Sequence, residues 1–156
     1  MLSIKKILIP IDGSESSLEA LRYASSFARE FNITVYLMTV VESHHSIYDV
    51  YADQNVLVQR ESDILAIVNA RLEETEKKAK EIGIKNIKTI SQSGIPYQKI
   101  TEFATEENID LIVMGTHGRT GIAHFLIGSV TEKVIRTAPC PVLVIRPHIH
   151  GMIDNK

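Results

Sequence analysis

A chain of 156 residues fits one ordinary domain, long enough to bury roughly two-thirds of the surface its unfolded form exposes. Hydrophobic residues at 44% and charged residues at 23% match globular averages, which excludes disorder, collagen-like repeats and coiled coil for the chain as a whole. The formal net charge is -2 and Lys and Arg are scattered, so there is no basic footprint for DNA or RNA and nucleic acid is not an expected partner.

Nowhere do about 18 apolar residues follow one another, so no membrane partner is expected, and the start Met-Leu-Ser-Ile-Lys-Lys lacks the features of a signal peptide. A single cysteine, Cys140, cannot form an internal disulfide, which agrees with a reducing compartment. The expected location is cytoplasmic. Set between Pro139 and Pro141, Cys140 reads as a small packed residue rather than a reactive thiol.

In chain order, Lys5 to Ile11 is a nearly continuous apolar run, the pattern of a strand covered on both faces. Asp12-Gly13-Ser14 is a turn cluster. Leu18, Leu21, Ala24, Ala28 and Phe31 then recur at helical spacing after a Ser16-x-x-Glu19 capping box. Ile33 to Val41 is rich in β-branched residues and predicts a second strand. Glu42 to Asn55, with His44, His45, Tyr48 and Tyr51, has no clear period and reads as a long connection.

Leu65, Val68, Leu72, Ala79 and Ile82 form a helical stripe that Gly83 terminates. The stripe reads as core packing rather than a partner-binding face. Asn86 to Ser93 is a weaker strand, Pro96 opens a third helix with Ile100, Phe103 and Ala104 inward, and Asp110 to Met114 is a buried strand. Ser129-x-x-Glu132 predicts a capping box for a short helix whose inner face is Val130, Val134, Ile135 and Ala138. Pro139 ends that helix and Pro141 opens a last strand, Val142 to Ile145. Strands alternating with helices predict an α/β fold, an open parallel sheet with helices on both faces. One domain is expected over residues 1–147, with 148–156 as a loose tail.

Four glycines, Gly115, Gly118, Gly121 and Gly128, lie between the buried strand and the capped helix. Glycine lets peptide N–H groups approach a phosphate, and the helix beyond adds free N–H groups and its positive dipole end. The alternative is purely structural: Gly115 closes a strand, Gly118 and Gly121 make turns, and Ser129 is only a cap. A Walker loop would need Gly-Lys-Ser/Thr, and a dinucleotide fingerprint would need Gly-x-Gly-x-x-Gly; neither is present.

The spacing Gly115-x2-Gly118-x9-Gly128-Ser129 resembles the nucleotide motif of the universal stress proteins, in their ATP-binding subgroup. Lys-Ile-Leu-Ile-Pro-Ile-Asp-Gly-Ser, Asp-Leu-Ile-Val-Met-Gly-Thr-His-Gly, Gly-Ser-Val-Thr-Glu-Lys-Val-Ile and Pro-Val-Leu-Val-Ile extend the similarity from about Lys5 to Arg146. The resemblance implies a Rossmann-like, adenine nucleotide alpha hydrolase-like sheet of five strands in the order 3-2-1-4-5. It implies that Pro10, Ile11 and Asp12 line the adenine and ribose side, with Val40 and Met114 closing that pocket. Gly115, Thr116, Gly118, Arg119, Gly128, Ser129, Val130 and Thr131 would surround ribose and phosphates. ATP is the implied ligand, with Mg or Mn carried by its phosphates. A homodimer through Val142, Leu143, Val144 and Ile145 is also implied, and would cover an exposed sheet edge.

Asp12 is the leading acidic candidate, for ribose or a metal-bound water. His117 and His124 read equally well as loop packing, and the pairs His44-His45 and His148-x-His150 lack the further ligands of a dedicated metal site. No general base is evident, so the expectation is a regulatory ATP-dependent switch in stress response with slow or no hydrolysis. Two other classes compete: an ATPase or adenylating enzyme of related fold, and a nucleotide-free interaction protein. Adenylating relatives carry Ser-Gly-Gly-x-Asp-Ser after the first strand, where this chain has Asp12-Gly-Ser-Glu-Ser-Ser17.

Overall fold

The structure is a computed structural model that describes residues 3–29, 32–42, 53–117 and 127–146. Along these residues run β1 (Lys6–Pro10), α1 (Glu15–Ala28), β2 (Thr34–Val41), α2 (Gln54–Glu81), β3 (Asn86–Ser93), α3 (Pro96–Glu106), β4 (Leu111–Gly115), α4 (Ser129–Thr137) and β5 (Val142–Ile145). Neighbouring strands all pair in parallel, in the order β3-β2-β1-β4-β5. This is the architecture and strand order that the resemblance implies. Gly118, Arg119, Gly121, His124, His44, His45, Tyr48, Tyr51, His148, His150 and the C-terminal tail lie outside the described residues.

Both faces of the sheet are apolar because alternate residues of each central strand point to opposite sides. Ile7, Ile9, Val35, Leu37 and Val113 pack with Leu21, Ala24 and Leu72 of α1 and α2. Leu8, Tyr36, Met38, Ile112 and Met114 pack with Ile100, Phe103 and Val134 of α3 and α4. A β1 covered in this way explains its uninterrupted apolar run. Burying each of its large side chains contributes about 1.5–3 kcal/mol relative to exposure.

Local signals decide where the elements end. Gly83 follows α2 with φ +96°, the N–H of Gly83 donates to Lys80 O at 3.0 Å, and that of Ile84 donates to Ala79 O at 3.0 Å. These two bonds satisfy carbonyls that the helix leaves over. The Asp110 carboxylate accepts from the backbone N–H groups of Lys5 and Lys6, both at 2.9 Å, and so ties the entries of β1 and β4 together.

Three expectations need correction. Neither expected capping box is seen: α1 is capped by Ser14, whose hydroxyl accepts from Ser17 N at 3.2 Å, while Glu19 pairs instead with Arg22. In α4 the N-cap is Gly128, Ser129 is the first helical residue, and Glu132 reaches forward to Arg136 at 3.0 Å rather than back. Ile135 is 44% exposed and does not belong to the inner face of α4, whereas Val134 is fully buried. Finally, α2 starts at Gln54, three turns before its apolar stripe.

Candidate functional site

Strand order reverses between β1 and β4: one continues outward to β2, the other to β5. Ligands of open parallel sheets bind beyond the carboxyl ends of the strands at such a point. The chain leaves β1 through Pro10, Ile11 and Asp12. The N–H of Ile11 donates to Met38 O at 2.7 Å and the Thr39 hydroxyl donates to Ile11 O at 2.8 Å, which fixes this exit against β2. Asp12 Oδ1 accepts from Ser14 N at 2.9 Å, a side-chain turn that places Ser14 at the N-cap of α1.

The β4 exit is stitched to the same turn. Ser14 Oγ donates to His117 O and His117 N donates to Ser16 Oγ, each at 3.4 Å. Gly115 lies so close to α1 that a Cβ there would stand 2.1 Å from Ser16 Oγ and 2.6 Å from its carbonyl carbon. Gly115 is the last residue of β4, and its lack of a side chain lets α1 pack against this exit. Thr116 is 6% exposed and its hydroxyl shares a 2.8 Å hydrogen bond with His117 Nδ1.

Two bonds set the start of α4 against this exit. Gly128 N donates to Thr116 O at 2.7 Å, and the buried Thr131 hydroxyl donates to Gly115 O at 2.9 Å. Thr131 is thus a positioning residue here. No side chain caps α4, and Ser129 is exposed at its first position. The N–H groups of a first turn have no intrahelical acceptor, so they can receive an anion at the positive end of the helix dipole.

Val40, Met114 and Val130 belong to one apolar cluster, so the β2 exit, the β4 exit and the first turn of α4 share an apolar wall. Beside it lies a cavity of about 250 Å³ lined by Glu42, Gly94, Tyr97, Ser129, Val130 and Lys133 among others. Lys133 Nζ stands 5.1 Å from the centre of the Tyr97 ring. Glu42, Tyr97 and Lys133 escaped the sequence reading because they come from three separate segments. The available signal was Tyr97 directly after the helix-opening Pro96, and Lys133 one turn beyond Ser129.

The structure thus brings together Pro10, Ile11, Asp12, Val40, Met114, Gly115, Thr116, Gly128, Ser129, Val130 and Thr131 at one end of the sheet. A larger open groove of about 530 Å³ runs along β3 past Tyr36, Lys88 and Glu107, and holds none of these residues. Among the described residues no group of three or more His, Cys, Asp and Glu is placed to hold a metal, and no helix is long and apolar enough to cross a membrane.

The sequence model of the Universal stress protein family matches residues 3–146. Universal stress protein MJ0531 of Methanocaldococcus jannaschii is 40% identical over 147 residues, which cover 91% of this chain and 82% of that protein. Universal stress protein MJ0577 of the same organism is 32% identical over 154 residues, 91% of this chain and 94% of that protein. The solved structure of hypothetical protein MJ0577 superimposes with a TM-score of 0.81, covering 92% of this chain and 96% of that one. A universal stress protein solved in complex with cAMP is 27% identical, with a TM-score of 0.69 over 92% of this chain and 98% of its own.

Proposed function

The chain belongs to the universal stress protein family, and on that premise we propose that it binds ATP at the β1 and β4 exits and acts as a nucleotide-dependent regulatory switch in stress response. The observation that carries this reading is the start of α4, without a side-chain cap and hydrogen-bonded onto the β4 exit beside the wall of Val40, Met114 and Val130. An apolar wall next to first-turn N–H groups that have no intrahelical acceptor suits a base joined to phosphates. The cAMP complex of a relative supports nucleotide chemistry on this scaffold.

Pro10, Ile11, Val40 and Met114 take the adenine side and Asp12 the ribose. Gly115, Thr116, Gly128, Ser129 and Val130 take ribose and phosphates, Thr131 positions the first turn of α4 against the β4 exit, and by the family's motif Gly118 and Arg119 complete the phosphate loop. Mg or Mn arrives on the phosphates, which hold it with water while Asp12 is the carboxylate at the mouth. Hydrolysis is slow or absent, the protein is cytoplasmic, and two copies pair through β5. That strand supports the pairing because it lies at the sheet edge with Val142, Leu143, Val144 and Ile145 only half buried.

The decisive experiment is to denature protein purified from cells and assay for released adenine nucleotide, then titrate ATP and cAMP by calorimetry. ATP binding that Gly118→Val abolishes, with the fold retained, is the expected result. No released nucleotide together with no heat of ATP binding refutes the proposal. Steady ATP turnover near the enzyme median of about 10 per second would replace the switch by an enzyme.

A further inference from the structure

The outer face of α2 is not used by the core. Leu65, Val68, Leu72 and Ala79 face inward, yet Val56, Ile64 and Ile67 are 52%, 40% and 54% exposed. At 100° per residue, positions 56, 60, 63, 67, 71, 74 and 78 fall on one stripe of the helix. All seven are exposed: Val56, Arg60, Asp63, Ile67, Arg71, Glu74 and Lys78. Their spacing, 4-3-4-4-3-4, reads the same in both directions from Ile67.

The charges obey the same symmetry with opposite sign. Asp63 and Arg71 lie four residues to either side of Ile67, and Arg60 and Glu74 lie seven. Two identical helices crossed antiparallel with Ile67 on the two-fold axis would therefore set Asp63 against the partner's Arg71, and Arg60 against the partner's Glu74, each twice over. Val56 would meet the aliphatic stem of the partner's Lys78. Among the described residues Arg71 makes no ion pair within the protomer, and Glu74 is held by Lys78 at 2.8 Å at the rim. Parallel pairing in register would instead oppose every charge with its own kind, so the pattern selects one orientation.

We propose that this stripe is a self-association surface, on which the α2 helices of two copies pair antiparallel about Ile67. The contact is isologous, since the same patch serves both partners. One helix face per protomer lies at the low end of interface sizes, so the association is weak and concentration-dependent. It is also separate from the sheet edge: α2 packs on β2 and β3, away from β5. Both contacts together would build assemblies larger than a dimer.

The test is made on the full chain in a Cys140→Ser background. Ile67→Cys should cross-link to its own copy on mild oxidation, because an axial residue meets itself, while Glu73→Cys on the other side of the helix should not. By sedimentation across a dilution series, Ile67→Glu should lower the mass of the largest species toward half. Asp63→Arg should do the same, and Asp63→Arg with Arg71→Asp should restore it. Val144→Lys, aimed at the sheet edge, should leave the Ile67→Cys cross-link intact. Cross-linking at Ile67→Cys no faster than at Glu73→Cys, or unchanged masses for Ile67→Glu, overturns the proposal; these positions are exposed, and circular dichroism verifies the fold.

Discussion

Replacing Gly115 by alanine tests whether this glycine serves packing before it serves a ligand. The new Cβ would meet Ser16 Oγ at 2.1 Å, Ser16 C at 2.6 Å and Ser16 Cβ at 2.7 Å. A hydroxyl can rotate away, but the backbone carbon belongs to the first turn of α1, which Ser14 and Ser17 hold in place. Overpacking of this kind costs about 1–3 kcal/mol, and backbone contact puts Gly115→Ala at the upper end, about 3 kcal/mol. For a domain of this size that is roughly 6–12 °C in Tm, measurable by urea and thermal denaturation without ligand. Ser16→Gly removes two of the three clashing atoms, so in a double-mutant cycle the pair should be less destabilised than the sum of the single changes, with incomplete rescue. A loss below about 0.5 kcal/mol for Gly115→Ala would refute the argument, since surface changes without a mechanism cost that little.

Thr131→Val keeps the shape but removes the hydroxyl that donates to Gly115 O, and should cost about 1–2 kcal/mol in urea denaturation. Gly83→Ala imposes a side chain at φ +96° and should destabilise by about 1–2 kcal/mol, again read by denaturation. Burial raises the Cys140 pKa, with the Asp110 charge adding to it and the hydrogen bond from the Ile112 backbone opposing. The folded state therefore favours the protonated thiol, so stability is retained at neutral pH and declines as pH climbs above the ordinary thiol range of about 8.5, a decline that Cys140→Ser should lack in pH-resolved denaturation.

How legible each part was depended on whether its cause was local. β3 and β5 were readable to the residue because Gly94 follows the one and Pro141 precedes the other. The start of α2 was hidden because residues 55–64 contribute little to the core, so no apolar stripe marks them. With serines at 14, 16 and 17, sequence spacing favoured Ser16 as the cap of α1. The Asp12 turn, a contact between side chain and backbone, selects Ser14. At the site, glycine spacing indicated Gly115 and Gly128 but not their different reasons, close packing in one and a helix cap in the other. The cavity residues Glu42, Tyr97 and Lys133 are joined only by the tertiary fold.

The proposed nucleotide site and the proposed edge contact meet at Thr116. Its carbonyl accepts from Gly128 N at 2.7 Å, which sets the start of α4, and its N–H donates to Ile145 O at 3.1 Å, which secures the end of β5. The two peptide units that flank the Thr116 Cα therefore join the start of α4 to the edge strand, one through its carbonyl and the other through its N–H. A ligand at the first turn of α4 alters pairing only through a difference in its affinity for the single and the paired protomer. That difference is reciprocal: the factor by which ATP changes the dimer's dissociation constant must equal the factor by which pairing changes ATP affinity. A switch of this kind needs no general base. In the proposed switch the α4 start, the β4 exit and the edge are linked through the hydrogen bonds at Gly115 and Thr116.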